Sequence, residues 1–112
     1  MRICKTLLLK NDDRLIQEYI AYHAKGKAWP EITQGIKEIG ILDMEIYIAD
    51  NRLFMIMQVT DDFDHDNAFA RLALMPRQQE WESLMSKFQD VACQDDAAGK
   101  WKIIERIFKL EE

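Results

Sequence analysis

The spacing of hydrophobic and polar positions at the start of the chain predicts a strand followed by an amphipathic helix. Residues 2–10 place apolar side chains alternately on two faces, which is typical of a strand. Residues 11–13, Asn-Asp-Asp, then offer N-cap groups for a helix that we expect to run to about residue 25. Tyr19 and His23 lie one turn apart on the apolar side of this helix, so their side chains are expected to project together.

A second helix and a strand hairpin are predicted next. Residues 25–27, Lys-Gly-Lys, break the first helix, and the second helix covers residues 30–40, with proline in its first turn and glycine at its end. Residues 41–48 and 52–60 are rich in Ile, Met and Phe, which favours strands. Asp50-Asn51 between them predicts a tight turn, so the two strands are expected to pair as a hairpin.

The second half of the chain is predicted to form another broken helix and a last strand. A helix begins within residues 62–66 and stops at Pro76, where a further helix begins that carries Trp81 on its apolar stripe. Residues 90–99 are predicted to be an acidic loop, and residues 100–110 a closing strand. The order is strand, broken helix, strand, strand, broken helix, strand. It predicts an α+β, ferredoxin-like split βαβ fold, in which a four-stranded antiparallel sheet carries helices on one face.

The predicted sheet has apolar side chains on both faces. In residues 52–60 and 101–110 both alternating sets of positions include hydrophobic residues. Since the helices cover only one face, an identical subunit is the economical cover for the other. The sequence therefore predicts a homodimer.

Length and charge narrow the classes of function. A chain of 112 residues forms one domain, residues 1–112, which is too short for a separate cofactor-binding domain. A net charge of -5 leaves no basic surplus to neutralise phosphates, so we expect neither a nucleic-acid nor a membrane partner. Cys4 and Cys93 lack metal-ligand spacing and no signal peptide is recognisable, so a cytoplasmic location is expected.

Candidate chemistry centres on Tyr19 and His23, with Trp29-Pro30-Glu31 shortly after them. Imidazole exchanges a proton near neutral pH, while phenol, indole and carboxylate suit a ligand that has both hydroxyls and apolar C–H faces. This combination indicates acid–base chemistry on a small polar ligand such as a sugar. Packing roles compete with this interpretation, because a histidine on the apolar side of a helix is more often structural and Trp29-Pro30 also suits helix initiation.

A family resemblance strengthens the catalytic interpretation. Tyr19, His23, the Trp29-Pro30-Glu31 segment, the strand that includes Ile46-Tyr47 and the helix of Trp81 together resemble the L-rhamnose mutarotase family over nearly the whole chain. The resemblance implies a small dimeric α/β barrel that interconverts the α and β anomers of a 6-deoxyhexose without a metal or an organic cofactor. It also implies that His23 is the proton donor and that Tyr19 and Trp81 contact the sugar.

Two departures from the family pattern bear on the choice of sugar. Met44 stands where typical members carry a sugar-binding tyrosine, and Glu80-Trp81 stands where they carry two consecutive tryptophans. The candidate substrate-binding residues are therefore Tyr19, Trp29, Glu31, Met44, Tyr47, Glu80 and Trp81. L-Rhamnose is the first expectation for the substrate, and L-fucose is the alternative.

The reaction requires two proton transfers, one to the ring oxygen and one from the anomeric hydroxyl. His23 suits the first transfer. For the second, Tyr19, Glu31, Tyr47 and Glu80 are candidates that sequence spacing does not rank. Two other classes of function follow from fold analogy: a dimeric α/β-barrel monooxygenase-like or haem-binding protein, and a non-catalytic ligand-sensing module.

Overall fold

The computed structural model describes residues 1–90 and 100–111. Its elements are, in chain order, β1 (Arg2–Leu8), α1 (Asp13–Tyr22), α2 (Pro30–Glu38), β2 (Ile41–Ala49), β3 (Arg52–Val59), α3 (His65–Leu72), α4 (Gln78–Ser86) and β4 (Lys102–Ile104). The four strands form an antiparallel sheet in the order β2-β3-β1-β4. This arrangement confirms the predicted α+β, ferredoxin-like fold. Within the described residues, no helix is long and apolar enough to cross a bilayer.

Local hydrogen bonds explain where α1 begins and ends. The Asp12 carboxylate caps the helix, because its Oδ1 accepts from the backbone N–H groups of Arg14 and Leu15 at 3.0 and 3.1 Å. The helix ends with His23 as its C-cap, whose N–H donates to the carbonyl of Ile20 at 3.0 Å. The predicted helix to about residue 25 was therefore slightly too long, and His23 lies at the exposed C-terminal end of α1 rather than within it.

The sheet has two faces with different surroundings. On β3, Leu53, Met55, Met57 and Val59 are buried beneath the helices, and we call this side of the sheet the inner face. The alternate residues of β3 point the other way, to a side that no helix among the described residues covers, which we call the outer face. This separation follows from the period of two along a strand.

The predicted closing strand is correct in position but too long. The sequence predicted residues 100–110, whereas β4 covers Lys102–Ile104 and residues 105–111 form no strand. The antiparallel register places Ile104 opposite Cys4, so the following residues soon pass the first residue of β1 and have no strand beside them. The predicted acidic loop falls largely on residues 91–99, which also include Cys93, and these lie outside the described residues.

Candidate active site

A cavity of about 470 Å³ lies between the inner face of the sheet and the helices. Its volume falls within the range of roughly 300–1,000 Å³ that is usual for small-molecule sites. Four of the residues singled out from the sequence line it: Tyr19, His23, Met44 and Trp81. The fold therefore brings together, around one cavity, side chains from α1, β2 and α4.

The predicted pairing of the Tyr19 and His23 side chains is confirmed. Their ring centroids are 4.3 Å apart, and the His23 and Trp81 rings meet in an edge-type contact with a centroid distance of 5.5 Å. Tyr19 is only 3% exposed, whereas His23 keeps a solvent-exposed side at the end of α1. His23 therefore lies at the mouth of the cavity and Tyr19 lies deeper.

One hydrogen bond fixes the state of the His23 ring. Nδ1 lies 2.8 Å from the backbone carbonyl oxygen of Tyr19, and a carbonyl oxygen can only accept, so Nδ1 carries a proton and donates it. Nε2 is then the ring nitrogen that can exchange a proton with a ligand. Packing against neighbouring rings desolvates the imidazole and lowers the pKa of His23, which the hydrogen bond to Tyr19 partly opposes.

The Tyr19 hydroxyl has the character of a binding group. Burial raises the pKa of Tyr19 far above its usual value. A hydrogen bond from the Gln89 side chain works in the opposite direction, and the charge of Glu82 adds to the rise. The phenol therefore stays protonated at any physiological pH and can orient a ligand, but it is a poor proton-transfer group.

Trp29, Glu31 and Glu80 form a cluster with Arg77 that lies beside the cavity rather than in its wall. The Trp29 ring meets Trp81 at a centroid distance of 5.1 Å, and the Arg77 guanidinium lies 3.9 Å from the Trp29 ring centroid. Arg77 also pairs with Glu80 at 2.8 Å and with Glu31 at 3.4 Å. The hydrogen bond from Arg77 lowers the pKa of Glu80, so both carboxylates are engaged with a cation. Contact of these residues with a sugar stays a prediction.

Tyr47 does not join the cavity. Its side chain lies opposite Phe54 on the outer face, is 52% exposed, and donates a hydrogen bond to Glu45 at 3.1 Å. Met44, three residues earlier on β2, points to the inner face opposite Met57 and lines the cavity. The structure therefore separates the two β2 candidates onto opposite faces, which argues against a role for Tyr47 in the site of its own subunit.

Several polar residues of the cavity wall were missed from the sequence. Lys5, Gln78, Glu82 and Gln89 all line the cavity, and Lys5 is 1% exposed with its ammonium 3.9 Å from the centroid of the Phe69 ring. Three of the four lie at or near α4 with spacings of four and seven residues, a helical periodicity that the sequence does display. This spacing could have identified Gln78, Glu82 and Gln89 as one polar face. The apolar stripe of Trp81 lies on the neighbouring face of the same helix.

No group of three or more His, Cys, Asp or Glu residues is arranged to hold a metal ion within residues 1–90 and 100–111. The polar side-chain groups around the cavity include one imidazole, one phenol, one hydroxyl, two indoles, carboxylates, amides and ammonium groups. Such a set can bind hydroxyls and move protons.

Comparison with known sequences gives a consistent result. The sequence profile described as L-rhamnose mutarotase matches residues 2–110. A protein of Xanthomonas campestris pv. campestris named L-fucose mutarotase is 38% identical over 111 residues, which span 99% of this chain and 89% of that protein. A UPF0734 protein of Dictyostelium discoideum is 35% identical over 100 residues, which span 87% of this chain and 78% of that protein.

Solved structures share the fold. An L-rhamnose mutarotase from Formosa agariphila superimposes with a TM-score of 0.73 at 23% identity, covering 99% of both chains. The tetracenomycin F2 cyclase of Streptomyces glaucescens, a type-II polyketide cyclase, superimposes with a TM-score of 0.58 at 13% identity, covering 97% of both chains. At these identities the two likenesses establish the architecture alone.

Proposed function

This chain belongs to the L-rhamnose mutarotase family and is a sugar mutarotase, an isomerase, and from that premise we propose that it interconverts the α and β anomers of a 6-deoxyhexose. The observation that carries the proposal is the position of His23. Its ring lies at the mouth of the cavity, its Nδ1 is bound to a backbone carbonyl, and its Nε2 is left to exchange protons with a ligand.

We propose that His23 is the catalytic proton donor. As the bond from the ring oxygen to the anomeric carbon breaks, the ring oxygen must gain a proton and the anomeric hydroxyl must lose one to a base. The open aldehyde then rotates and closes on its other face. The imidazolium form of His23 can supply this proton from Nε2 while Nδ1 stays bound to Tyr19. Ring closure returns the proton to Nε2, so the protein is unchanged after one cycle and the chemistry requires only protons.

The composition of the cavity wall supports a 6-deoxyhexose as the substrate. Tyr19 and Gln89 offer polar contacts deep in the cavity, whereas Met44, Met55 and Trp81 supply apolar surface. A 6-deoxyhexose presents the same combination, with hydroxyls on the ring, apolar C–H faces and a methyl group. L-Rhamnose and L-fucose are the two sugars that the names of the matching family and relative contain, so both are to be tested.

We propose that the functional unit is a homodimer formed through the outer faces of two sheets. The centre of the outer face is an apolar patch, which we define as Cys4, Tyr47, Phe54, Ile56 and Ile104. Phe54 and Ile104 are each 37% exposed in one subunit, although their neighbours in the patch are apolar. An uncovered sheet face of this kind is typical of a subunit interface.

A cytoplasmic location completes the proposal. Cys4 is a free cysteine, and free thiols persist in a reducing compartment. The monooxygenase-like, haem-binding and ligand-sensing alternatives are not favoured, because the family match and the 38% identical relative both name a mutarotase.

Saturation-transfer NMR tests the proposal directly, because it measures exchange between the two anomers at equilibrium. We expect the protein to accelerate exchange of L-rhamnose, L-fucose or both above the spontaneous rate, and D-glucose provides a control sugar whose C6 carries a hydroxyl. Exchange at the spontaneous rate for both 6-deoxyhexoses would contradict the proposal.

A further inference from the structure

A mutarotase needs a second proton-transfer group opposite its histidine, and the structure removes the candidates that the sequence offered. Glu31 and Glu80 are held by Arg77 beside the cavity. Tyr47 lies on the outer face, and burial keeps the Tyr19 phenol protonated by raising its pKa. Two carboxylates that the sequence did not single out, Asp43 and Glu82, line the cavity. Asp43 lies opposite Gln58 on the outer-face register of the sheet, so Glu82 is the carboxylate on the helix side of the cavity.

From this placement we infer that Glu82 is the second proton-transfer group, the one that removes the proton from the anomeric hydroxyl. The inference rests on the proposed mutarotase function and assigns a residue to its open step. Glu82 follows Trp81 directly on α4, and Trp81 packs against the His23 ring. Glu82 and His23 line the same cavity from different helices.

The surroundings of Glu82 suit a proton acceptor, which must be fixed in position and must contact the ligand. Its side chain is 19% exposed, so a ligand in the cavity can contact it. The Lys100 ammonium, whose side chain is fully buried, lies 3.5 Å from Oε1 of Glu82 and donates to the backbone carbonyl of Glu82 at 2.6 Å. An ammonium at this position stabilises a carboxylate more than a neutral carboxyl group, which favours the form that accepts a proton.

Tyr19 is a further neighbour of Glu82 in the cavity wall. The charge of Glu82 contributes to raising the pKa of Tyr19, which places the carboxylate close to the phenol in the cavity wall. Tyr19 in turn stacks on His23 at 4.3 Å. Imidazole, phenol and carboxylate thus surround one space, with the proton donor and the proton acceptor on α1 and α4 respectively.

The two transfers balance without a further reactant. Glu82 takes the proton of the anomeric hydroxyl as the carbonyl group forms, the bond between the anomeric carbon and the ring oxygen breaks, and that oxygen takes a proton from Nε2 of His23. After rotation about the C1–C2 bond, the hydroxyl attacks the other face of the aldehyde and returns its proton to His23. Glu82 then protonates the new anomeric oxygen.

The test compares two helical carboxylates that each pair with a lysine, of which one lines the cavity and the other does not. Glu82→Gln keeps the shape of the side chain and removes its basicity, and we expect kcat for anomer exchange to fall by about 10²- to 10³-fold with KM nearly unchanged. Glu18→Gln is the matched control, because Glu18 on α1 pairs with Lys87 at 3.9 Å and is not among the residues that line the cavity, and its kcat should stay within about twofold of the wild-type value. Thermal unfolding of each variant establishes that it is folded.

Chemical rescue separates catalysis from packing. Glu82→Ala leaves space for a small carboxylate, so sodium formate should restore a measurable part of its lost kcat, which a purely structural ion pair with Lys100 would not allow. A folded Glu82→Gln protein with the wild-type kcat, or a loss in Glu82→Ala that formate does not restore, overturns the inference. A wild-type protein that exchanges neither sugar would instead contradict the proposed function itself, so the two failures are distinguishable.

Discussion

The two faces of the sheet use the same strands for different purposes. On the inner face, Lys5 and Met55 lie opposite each other beneath the helices, and a fully buried ammonium shares the cavity wall with apolar side chains. On the outer face, the apolar patch carries Cys4 opposite Ile56, and no helix among the described residues covers it. Polar groups in the wall of an enclosed cavity can bind a ligand, whereas an uncovered apolar face points to assembly.

Removing the imidazole should greatly reduce catalysis in the cavity and leave the outer face unchanged. We expect His23→Ala to lower kcat by about 10²- to 10⁴-fold, the usual contribution of a positioned acid or base. The stability and the oligomeric state should change little, because His23 lies at the exposed end of α1. Saturation-transfer NMR and sedimentation measure the two properties. A folded variant with wild-type kcat would show that His23 only packs.

A charge in the apolar patch should have the opposite outcome. Phe54→Asp puts a carboxylate at the centre of the patch, and we expect dimer dissociation to become easier by about 2–4 kcal/mol, roughly 30- to 1,000-fold in Kd. Sedimentation velocity over a concentration series measures the shift. Gln58→Asp is the matched control, since it adds a charge on the outer face of the same strand outside the patch. A wild-type protein that is monomeric at micromolar concentration would contradict the assembly proposal.

A smaller change distinguishes sugar binding by Tyr19 from proton transfer by His23. Tyr19→Phe keeps the ring that stacks on His23 and removes only the hydroxyl. A lost hydrogen bond is worth about 0.5–1.5 kcal/mol, so KM should rise by roughly two- to tenfold while kcat changes less. Initial rates of anomer exchange at several sugar concentrations give both constants. A fall in kcat as large as that of His23→Ala would instead make the phenol a proton-transfer group.

The smallest expected effect is the dependence of stability on pH. Desolvation lowers the pKa of His23 in the folded protein. As the pH falls, His23 of the unfolded chain, whose pKa is the ordinary one for histidine, therefore binds a proton first. The folded state then loses stability on acidification from neutral pH, until His23 is protonated in both states. Since the ring is partly exposed, the effect should be modest. We expect His23→Gln to show a smaller decrease in Tm than the wild type between pH 7.5 and pH 5.5, at equal protein concentration. Identical pH dependence of the two proteins would rule out a lowered pKa.

Much of the fold could be predicted because its signals are local. The Asp12 cap, the proline that opens α2 and the hairpin turn at Asp50, whose φ is 56°, act through residues a few positions apart. The order of the elements along the chain matches the split βαβ pattern, in which β1 and β3 lie side by side at the centre of the sheet. The length of β4 was wrong because it depends on where β1 begins, which no local pattern in residues 100–110 contains.

The candidate site divides in the same way. The sequence by itself determined that Tyr19 and His23 stand side by side, since a helix brings together residues four apart. It also determined that Met44 and Tyr47 face opposite sides of β2, because they lie three residues apart on a strand whose side chains alternate. Only the tertiary structure decided that Arg77 holds Glu31 and Glu80, and that Lys100 reaches Glu82. Apart from the neighbouring Arg77–Glu80 pair, these partners lie far apart in sequence, where packing of the helices on the sheet, and no periodic pattern, sets which charges meet.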